Sequence, residues 1–365
     1  MTTMFAVDRS NLRRTHWREA APVALESGQS RFRIDLFALT ANNVTYGAFG
    51  ESMHYWDFFP TGDTDTGCIP VWGFATVSES LVDGVDVGER FYGYWPMADE
   101  VVVSPERVIA EGFFDGAPHR RERAEVYNRY LRCSSDPMYR PEHEALKALL
   151  HPLFVTSFLI DDFLADNAFF EARTALISSA SSKTAYGLGH CLARRRGKPG
   201  VPHLVGLTSA ANLVFTRGLG CYDEVVAYDD VTALPADQRA VYVDISGDAA
   251  LRARIHGHFG ANLGYSCSVG GTHWQALGGG HDLPGARPVL FFAPAQIKKR
   301  VADWGAIELQ QRMAAAWQRF IERVDDPHAP WLRVVSGRGR DAVSAAYSAL
   351  LEGRAAANEG IVLAL

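Results

Sequence analysis

The chain has 365 residues, 47% apolar and 21% charged, which is enough for two packed domains of ordinary globular composition. Its formal charge of -6 is spread along the sequence, so no basic face offers itself to a phosphate backbone and nucleic-acid binding is not expected. The five cysteines, Cys68, Cys133, Cys191, Cys221 and Cys267, are far apart and form no C-x-x-C pair, which argues against a disulfide framework or a thiolate zinc site and fits a reducing cytoplasm.

The N-terminus lacks the apolar core of a signal peptide, and no apolar run approaches the roughly 20 residues that cross a bilayer, so no membrane association is expected. In chain order, residues 31–39 alternate polar and apolar side chains as a half-buried strand does, and 40–46 follow as a polar loop. Strands at 71–80, 90–95 and 100–103, separated by Gly, Pro and Asp, predict an all-β unit, a small barrel. Between 142 and 169 the spacing turns helical through Leu146, Leu149, Leu150, Phe154, Phe158 and Leu159, and this helix carries the chain into a second domain.

Residues 174–193 begin as an apolar strand and pass through tiny side chains into a helical pattern; strands follow at 204–209, 224–228, 240–245 and 288–293, with a helix at 249–258 and a further strand near 265–269. Strands alternating with helices predict an α/β domain with a parallel sheet covered on both faces. The tail, with a helix at 307–324, a strand at 331–335, a helix at 342–352 and a strand at 360–365, is expected to return to the first domain. The expected division is therefore 1–145 completed by 300–365, and 146–299.

The turn Ser178-Ser-Ala-Ser-Ser-Lys-Thr184 is the densest candidate site. A crossover of this kind places unpaired N–H groups and the positive end of a helix dipole beside the hydroxyls of Ser179, Ser181, Ser182 and Thr184 and the Lys183 cation, all suited to pyrophosphate oxygens. The bland alternative is a serine-rich N-cap with an exposed lysine. It is not a Walker loop, since G-x-x-x-x-G-K is absent. The second strand ends in Thr208-Ser209, where enzymes using NAD usually place a ribose-binding carboxylate. Nothing there repels a 2′-phosphate.

Further on, Gly247 after the fourth strand, and Ser268, Gly270 and His273 after the next, should face the ligand crevice outside the strand ends. A glycine turn with a packed tryptophan is the competing reading. The basic run Arg194 to Lys198 lies at the opposite edge and reads as a solvated helix C-terminus. His256 and His258, two apart with no third ligand, read as surface histidines, and Gly264-Tyr-Ser-Cys-Ser268 lacks the second glycine of a hydrolase elbow.

Taken in order, these segments resemble the medium-chain dehydrogenase/reductase superfamily, especially its zinc-free quinone and enoyl reductase branch. Val87-Gly-Glu-Arg-Phe-Tyr-Gly93 matches V-G-D-R-V-x-G, Leu219-Gly-Cys-Tyr-Asp-Glu-Val-Val-Ala-Tyr228 matches L-G-A-D-x-V-x-x-Y, and Val343 to Gly353 followed by Glu359-Gly-Ile-Val-Leu363 matches the closing A-x-x-x-L-x-x-G and G-K-x-V-L. The chain looks like a divergent side family carrying N-N-x-T-Y, S-S-A-S-S-K-T and G-x-T-H-W. It departs from the superfamily in two places. Ser179, Ser182 and Ala185 stand at the spacing of the glycine fingerprint, and the segment 70–77 has neither His nor Glu where the zinc-binding branch needs them.

The resemblance implies a GroES-like β-barrel catalytic domain and a Rossmann nucleotide-binding domain, with chemistry in the cleft between them, no zinc, and dimerisation through the nucleotide domain. It places Tyr228 at a position that commonly contacts the 2′-phosphate, with Asn212 where lysine is common and Arg217 as a substitute cation, so NADPH is favoured over NADH. It places Asn43 and Tyr46 in a segment that lines the nicotinamide, and Tyr55 near where enoyl reductases carry an active tyrosine. A phenol so placed stabilises the negative charge that hydride delivery leaves on oxygen. The expected function is zinc-independent, NADPH-dependent reduction of a conjugated carbonyl or quinone, with an apolar small molecule as substrate. The alternatives are a non-catalytic NAD(P)H-binding sensor or partner protein, and a carbonyl reductase.

Overall fold

The computed structural model describes residues 1–269 and 282–365. The chain forms two compact units, 1–151 with 332–365, and 152–331. The divisions thus fall at 151/152 and 331/332 rather than at 145/146 and 299/300. Two helices account for the second difference: Ala293–Trp304 and Ala306–Val324 belong to the second unit. Phe154 stacks on Phe320 of the latter, with ring centroids 4.6 Å apart.

In the first unit the long antiparallel strands Ser30–Leu39 and Val71–Ser80 form the centre of a nine-stranded sheet. Arg90–Trp95, Arg129–Arg132, Gly112–Asp115 and Pro105–Ile109 extend it on one side; Glu359–Ala364 and then Arg333–Arg338 extend it on the other, and Glu100–Val103 also pairs with Ser30–Leu39. The strands expected at 71–80, 90–95 and 100–103 are present with those bounds. Aromatic rings fill the core of this unit: Phe32 lies 5.2 Å from Trp95, Trp95 4.4 Å from Tyr130, and Tyr130 stacks on Phe113. The helix Glu144–Asp166 leaves this unit and continues past Pro152 into the second.

The loop expected at 40–46 is instead the start of a helix, Ala41–Ala48. Thr40 and Asn43 form a capping box, in which the Asn43 Oδ1 accepts the Thr40 N–H at 2.7 Å. Such a box satisfies donors that a helix start otherwise leaves open.

The second unit is built on a six-stranded, wholly parallel sheet in the order 3-2-1-4-5-6: Glu224–Ala227, His203–Thr208, Thr174–Ile177, Ala240–Asp244, Leu263–Ser268 and Pro288–Leu290. The central strands are buried, as crossover helices on both faces require. The last strand is shorter than expected, because Pro294 opens the helix Ala293–Trp304.

Candidate functional site

The first strand of the second unit ends in the serine turn. Ser182 is the N-cap of the helix Lys183–Ala193, its hydroxyl accepting the Ala185 N–H at 3.3 Å. Ser179 adopts φ +54°, the left-handed conformation that glycine takes without strain. The other work of the missing glycines has moved elsewhere. A Cβ at Gly187 would come 2.9 Å from Ser157 Oγ, and one at Gly206 would come 3.0 Å from the Ala180 Cβ, so these two positions give the close helix and strand approach.

Several residues singled out in the sequence are brought together at the C-terminal edge of this sheet. The Ser179 N–H donates to the Tyr228 hydroxyl at 3.1 Å, Thr208 Oγ1 donates to Ser181 Oγ at 3.3 Å, and the Asn212 amide donates to Ser209 Oγ at 3.2 Å. Burial raises the Tyr228 phenol above its ordinary range, so it stays protonated. The hydroxyl is engaged on the turn itself. Arg217 is exposed in the last turn of the short helix Leu213–Gly218.

Ser178 and Asp244 tie the first strand to the fourth. The fully buried Asp244 carboxylate accepts from Ser178 Oγ at 3.2 Å, Ser246 Oγ at 3.0 Å, the Gly247 N–H at 2.9 Å and Arg252 Nε at 2.8 Å. This network fixes the turn at Gly247, whose φ is +69°. The Ser268 hydroxyl is buried at the end of the fifth strand without a hydrogen-bond partner among the described residues. Gly270 and His273 lie outside the described residues.

Two surface readings are corrected. His256 is buried and bridges the Pro284 carbonyl at 2.9 Å and Ser266 Oγ at 3.0 Å. In the basic run, Arg195 makes two 2.7 Å bonds to Asp161 and Arg196 one to Asp223, so these arginines anchor the helix end rather than merely solvate it.

In the first unit the candidate phenols belong to a cluster. Tyr46 and Tyr55 are buried with ring centroids 4.6 Å apart, and Tyr94 and Tyr127 complete the group. The Tyr46 hydroxyl accepts from Trp72 Nε1 at 3.4 Å, leaving its own proton to donate, and the Tyr55 and Tyr127 hydroxyls lie 3.3 Å apart. Burial pushes Tyr55 up to about 12 and Tyr46 higher still, which keeps both protonated. Asn43 is buried and held at both ends of its amide: its Nδ2 donates to the Pro70 carbonyl at 2.9 Å while its Oδ1 caps the helix that carries Tyr46.

Sequence reasoning missed Tyr94, Tyr127 and the residue that holds them. Arg120, with no exposed surface, donates to Asp115, Asn128, the Tyr130 hydroxyl and the Tyr127 carbonyl, all within 2.9 Å, and faces Phe58 and Phe59. Its place in a charged run, His119 to Glu125, gives it the look of a solvated residue; no signal in the sequence marks it as buried. Among the described residues no group of three or more His, Cys, Asp or Glu could hold a metal ion.

The barrel and the 3-2-1-4-5-6 sheet together define the medium-chain dehydrogenase/reductase fold, GroES-like and Rossmann domains in one chain. Solved structures agree at low identity. CurA from Vibrio vulnificus in complex with NADPH has a TM-score of 0.58 at 12% identity over 99% of this chain and 98% of that one. The yhdH oxidoreductase from Salmonella enterica in complex with NADP has 0.53 at 10% over 100% and 99%, and the CurK enoyl reductase 0.55 at 11% over 99% and 98%. A comparison with curated proteins finds no match. The chain belongs to the family described as protein of unknown function (DUF2855), whose model matches residues 37–356.

Proposed function

We propose that this protein is a zinc-independent oxidoreductase that uses NADPH to reduce a conjugated carbonyl or a quinone. The observation that carries the reading is the serine turn: small hydroxyl side chains, Lys183 and a helix N-terminus at the C-terminal edge of a Rossmann sheet, beside a second strand ending in Thr208 and Ser209 without a carboxylate. That donor set fits a pyrophosphate, and a missing ribose carboxylate favours the 2′-phosphorylated nucleotide. The similarity to structures described as holding NADPH and NADP, and to an enoyl reductase, supports the same reading.

When bound, the nicotinamide supplies the hydride. The chain's own part is orientation and hydrogen bonding. Residues 178–184 would hold the phosphates, with Asp244 keeping Gly247 in place for the nearer ribose. Tyr46 and Tyr55 are the donors we assign to the acceptor oxygen: phenols with raised pKa remain protonated and donate a hydrogen bond to developing negative charge. A homodimer through the edge strand Pro288–Leu290 belongs to the same reading, since Val289, Leu290 and Phe292 are exposed there.

Calorimetric titration with NADPH and NADH tests the cofactor assignment, and no binding of either at millimolar concentration would remove it. Turnover is tested against enones, quinones and aldehydes, with Tyr46→Phe and Tyr55→Phe each expected to lower kcat by about 10²-fold or more if its phenol is the donor. A non-catalytic nucleotide-binding protein is the second reading, favoured by the Tyr228 hydroxyl already sitting on the turn. Tight binding without turnover on any acceptor would select it.

A further inference from the structure

The helix Lys183–Ala193 begins at the serine turn and, about 16 Å later at 1.5 Å per residue, ends at the opposite edge of the sheet. A surface groove of about 630 Å³ lies at that end, lined among others by His190, Arg194, Arg319, Glu322, Arg323 and Trp331. All of these belong to the second unit.

Two features mark the groove. Trp331 is 3% exposed, and its Nε1–H has no hydrogen-bond partner among the described residues; the same holds for His190 Nε2. Both atoms are shielded from solvent, and a buried polar group left unpaired is destabilising. Charge is the second feature. Arg323 is already in use: it lies 4.8 Å from the Trp331 ring centroid, pairs with Asp326 at 3.6 Å and donates to the Ala329 carbonyl at 2.9 Å. Arg194 and Arg319 are exposed, and their side chains make no ion pair or hydrogen bond among the described residues. With Arg323 and Asp326 offsetting each other, two guanidiniums face the single carboxylate of Glu322. Their field reaches His190: burial first, then Arg194, Arg319 and Arg323, push its imidazole down to about 4, so it sits neutral in a positive groove.

We propose that this groove binds a small oxyanion, a phosphate or carboxylate group of a metabolite, with Arg194 and Arg319 supplying the charge beside the Trp331 indole. The site is independent of the reductase reading. It would respond to an anion whether or not nucleotide binds at the far end of the helix.

The test uses the full chain at constant ionic strength, set with chloride, and titrates inorganic phosphate in one arm and citrate in the other. Binding is read by calorimetry and by the indole ¹H–¹⁵N resonance of Trp331. Saturable binding in either arm is expected, and the arm that saturates identifies the head group. Arg194→Gln with Arg319→Gln should weaken it at least about ten-fold, the loss of one or two charge-assisted hydrogen bonds, while Glu322→Gln should tighten it by a few-fold. All three side chains are exposed, so the fold should survive the changes. A response linear in anion in both arms, or an affinity that the double variant leaves unchanged, would overturn the proposal; phosphate bound at the serine turn would give the second result without moving the Trp331 resonance.

Discussion

Each unit buries one arginine–aspartate pair beside its candidate site, and the two pairs are wired in opposite senses. In the first unit the hub is the cation: Arg120 spends its guanidinium on Asp115, Asn128, Tyr130 and the Tyr127 carbonyl. In the second the hub is the anion: Asp244 collects Ser178, Ser246, Gly247 and Arg252. A cationic hub organises acceptors, here the phenol of Tyr130 and the backbone beneath Tyr127. An anionic hub organises N–H and O–H donors, here the backbone and hydroxyls of two strand ends. The difference suits the assigned roles, since one unit must place hydrogen-bond donors in an apolar cluster and the other must shape a backbone cradle.

The largest expected effect comes from breaking either hub. Arg120→Met leaves the buried Asp115 carboxylate without its counter-charge, and Asp244→Ala does the same to Arg252; each should cost about 3–5 kcal/mol in urea unfolding. Arg120→Lys sharpens the point, because it keeps the charge but loses the fork that reaches four acceptors at once. If Lys restores most of the stability, charge rather than geometry holds the phenol cluster, and the contrast between the two hubs dissolves.

Protonation gives the next effect. Burial pushes His151 down to about 3 in the first unit and His190 to about 4 in the second, from an ordinary value of 6.5. Between those values the unfolded chain binds protons that the folded chain does not, so stability is fully present above about pH 6.5 and lost as the pH falls toward 4. For His151, which is nearly buried, the loss by pH 4.5 is about 2–3 kcal/mol. Urea midpoints at pH 7.5 and 4.5 should differ accordingly, and His151→Leu should reduce the difference. An unchanged pH dependence would mean that the second unit, with His190 and His256, is where acid acts first.

What the sequence disclosed follows from the range of the forces involved. Strands 71–80, 90–95 and 100–103 are legible because alternation and flanking Gly, Pro and Asp are local. The helix at 41–48 is not, since it is only eight residues long and its start is signed only by Asn43, three places after Thr40. The buried state of His256 depends on Ser266, brought beside it only when the strand Leu263–Ser268 joins the sheet. Arg120 fails as a prediction for the same reason, its partners Tyr130, Asn128 and Asp115 being gathered by a hairpin. At the serine turn the residues were legible but their wiring was not. The spacing shows serines where glycines are usual; it does not show that Gly187 and Gly206 take over the close approaches.

The smallest expected effect concerns Tyr228, where resemblance and structure assign different jobs to one hydroxyl. The resemblance puts it on a 2′-phosphate; the structure puts it on the Ser179 N–H at 3.1 Å. Tyr228→Phe separates the two, because a hydroxyl that braces the turn affects any dinucleotide, whereas one that reads the 2′-phosphate affects only NADPH. The brace predicts a loss of about 1 kcal/mol in stability, the usual net worth of one hydrogen bond, and a similar weakening, about five-fold, for NADPH and NADH alike. The deciding quantity is the ratio of the two dissociation constants. A ratio that stays constant leaves nucleotide choice to the strand end at Thr208 and Ser209, while a selective loss of NADPH would show that the phenol leaves Ser179 for the ligand and that the turn is remade on binding.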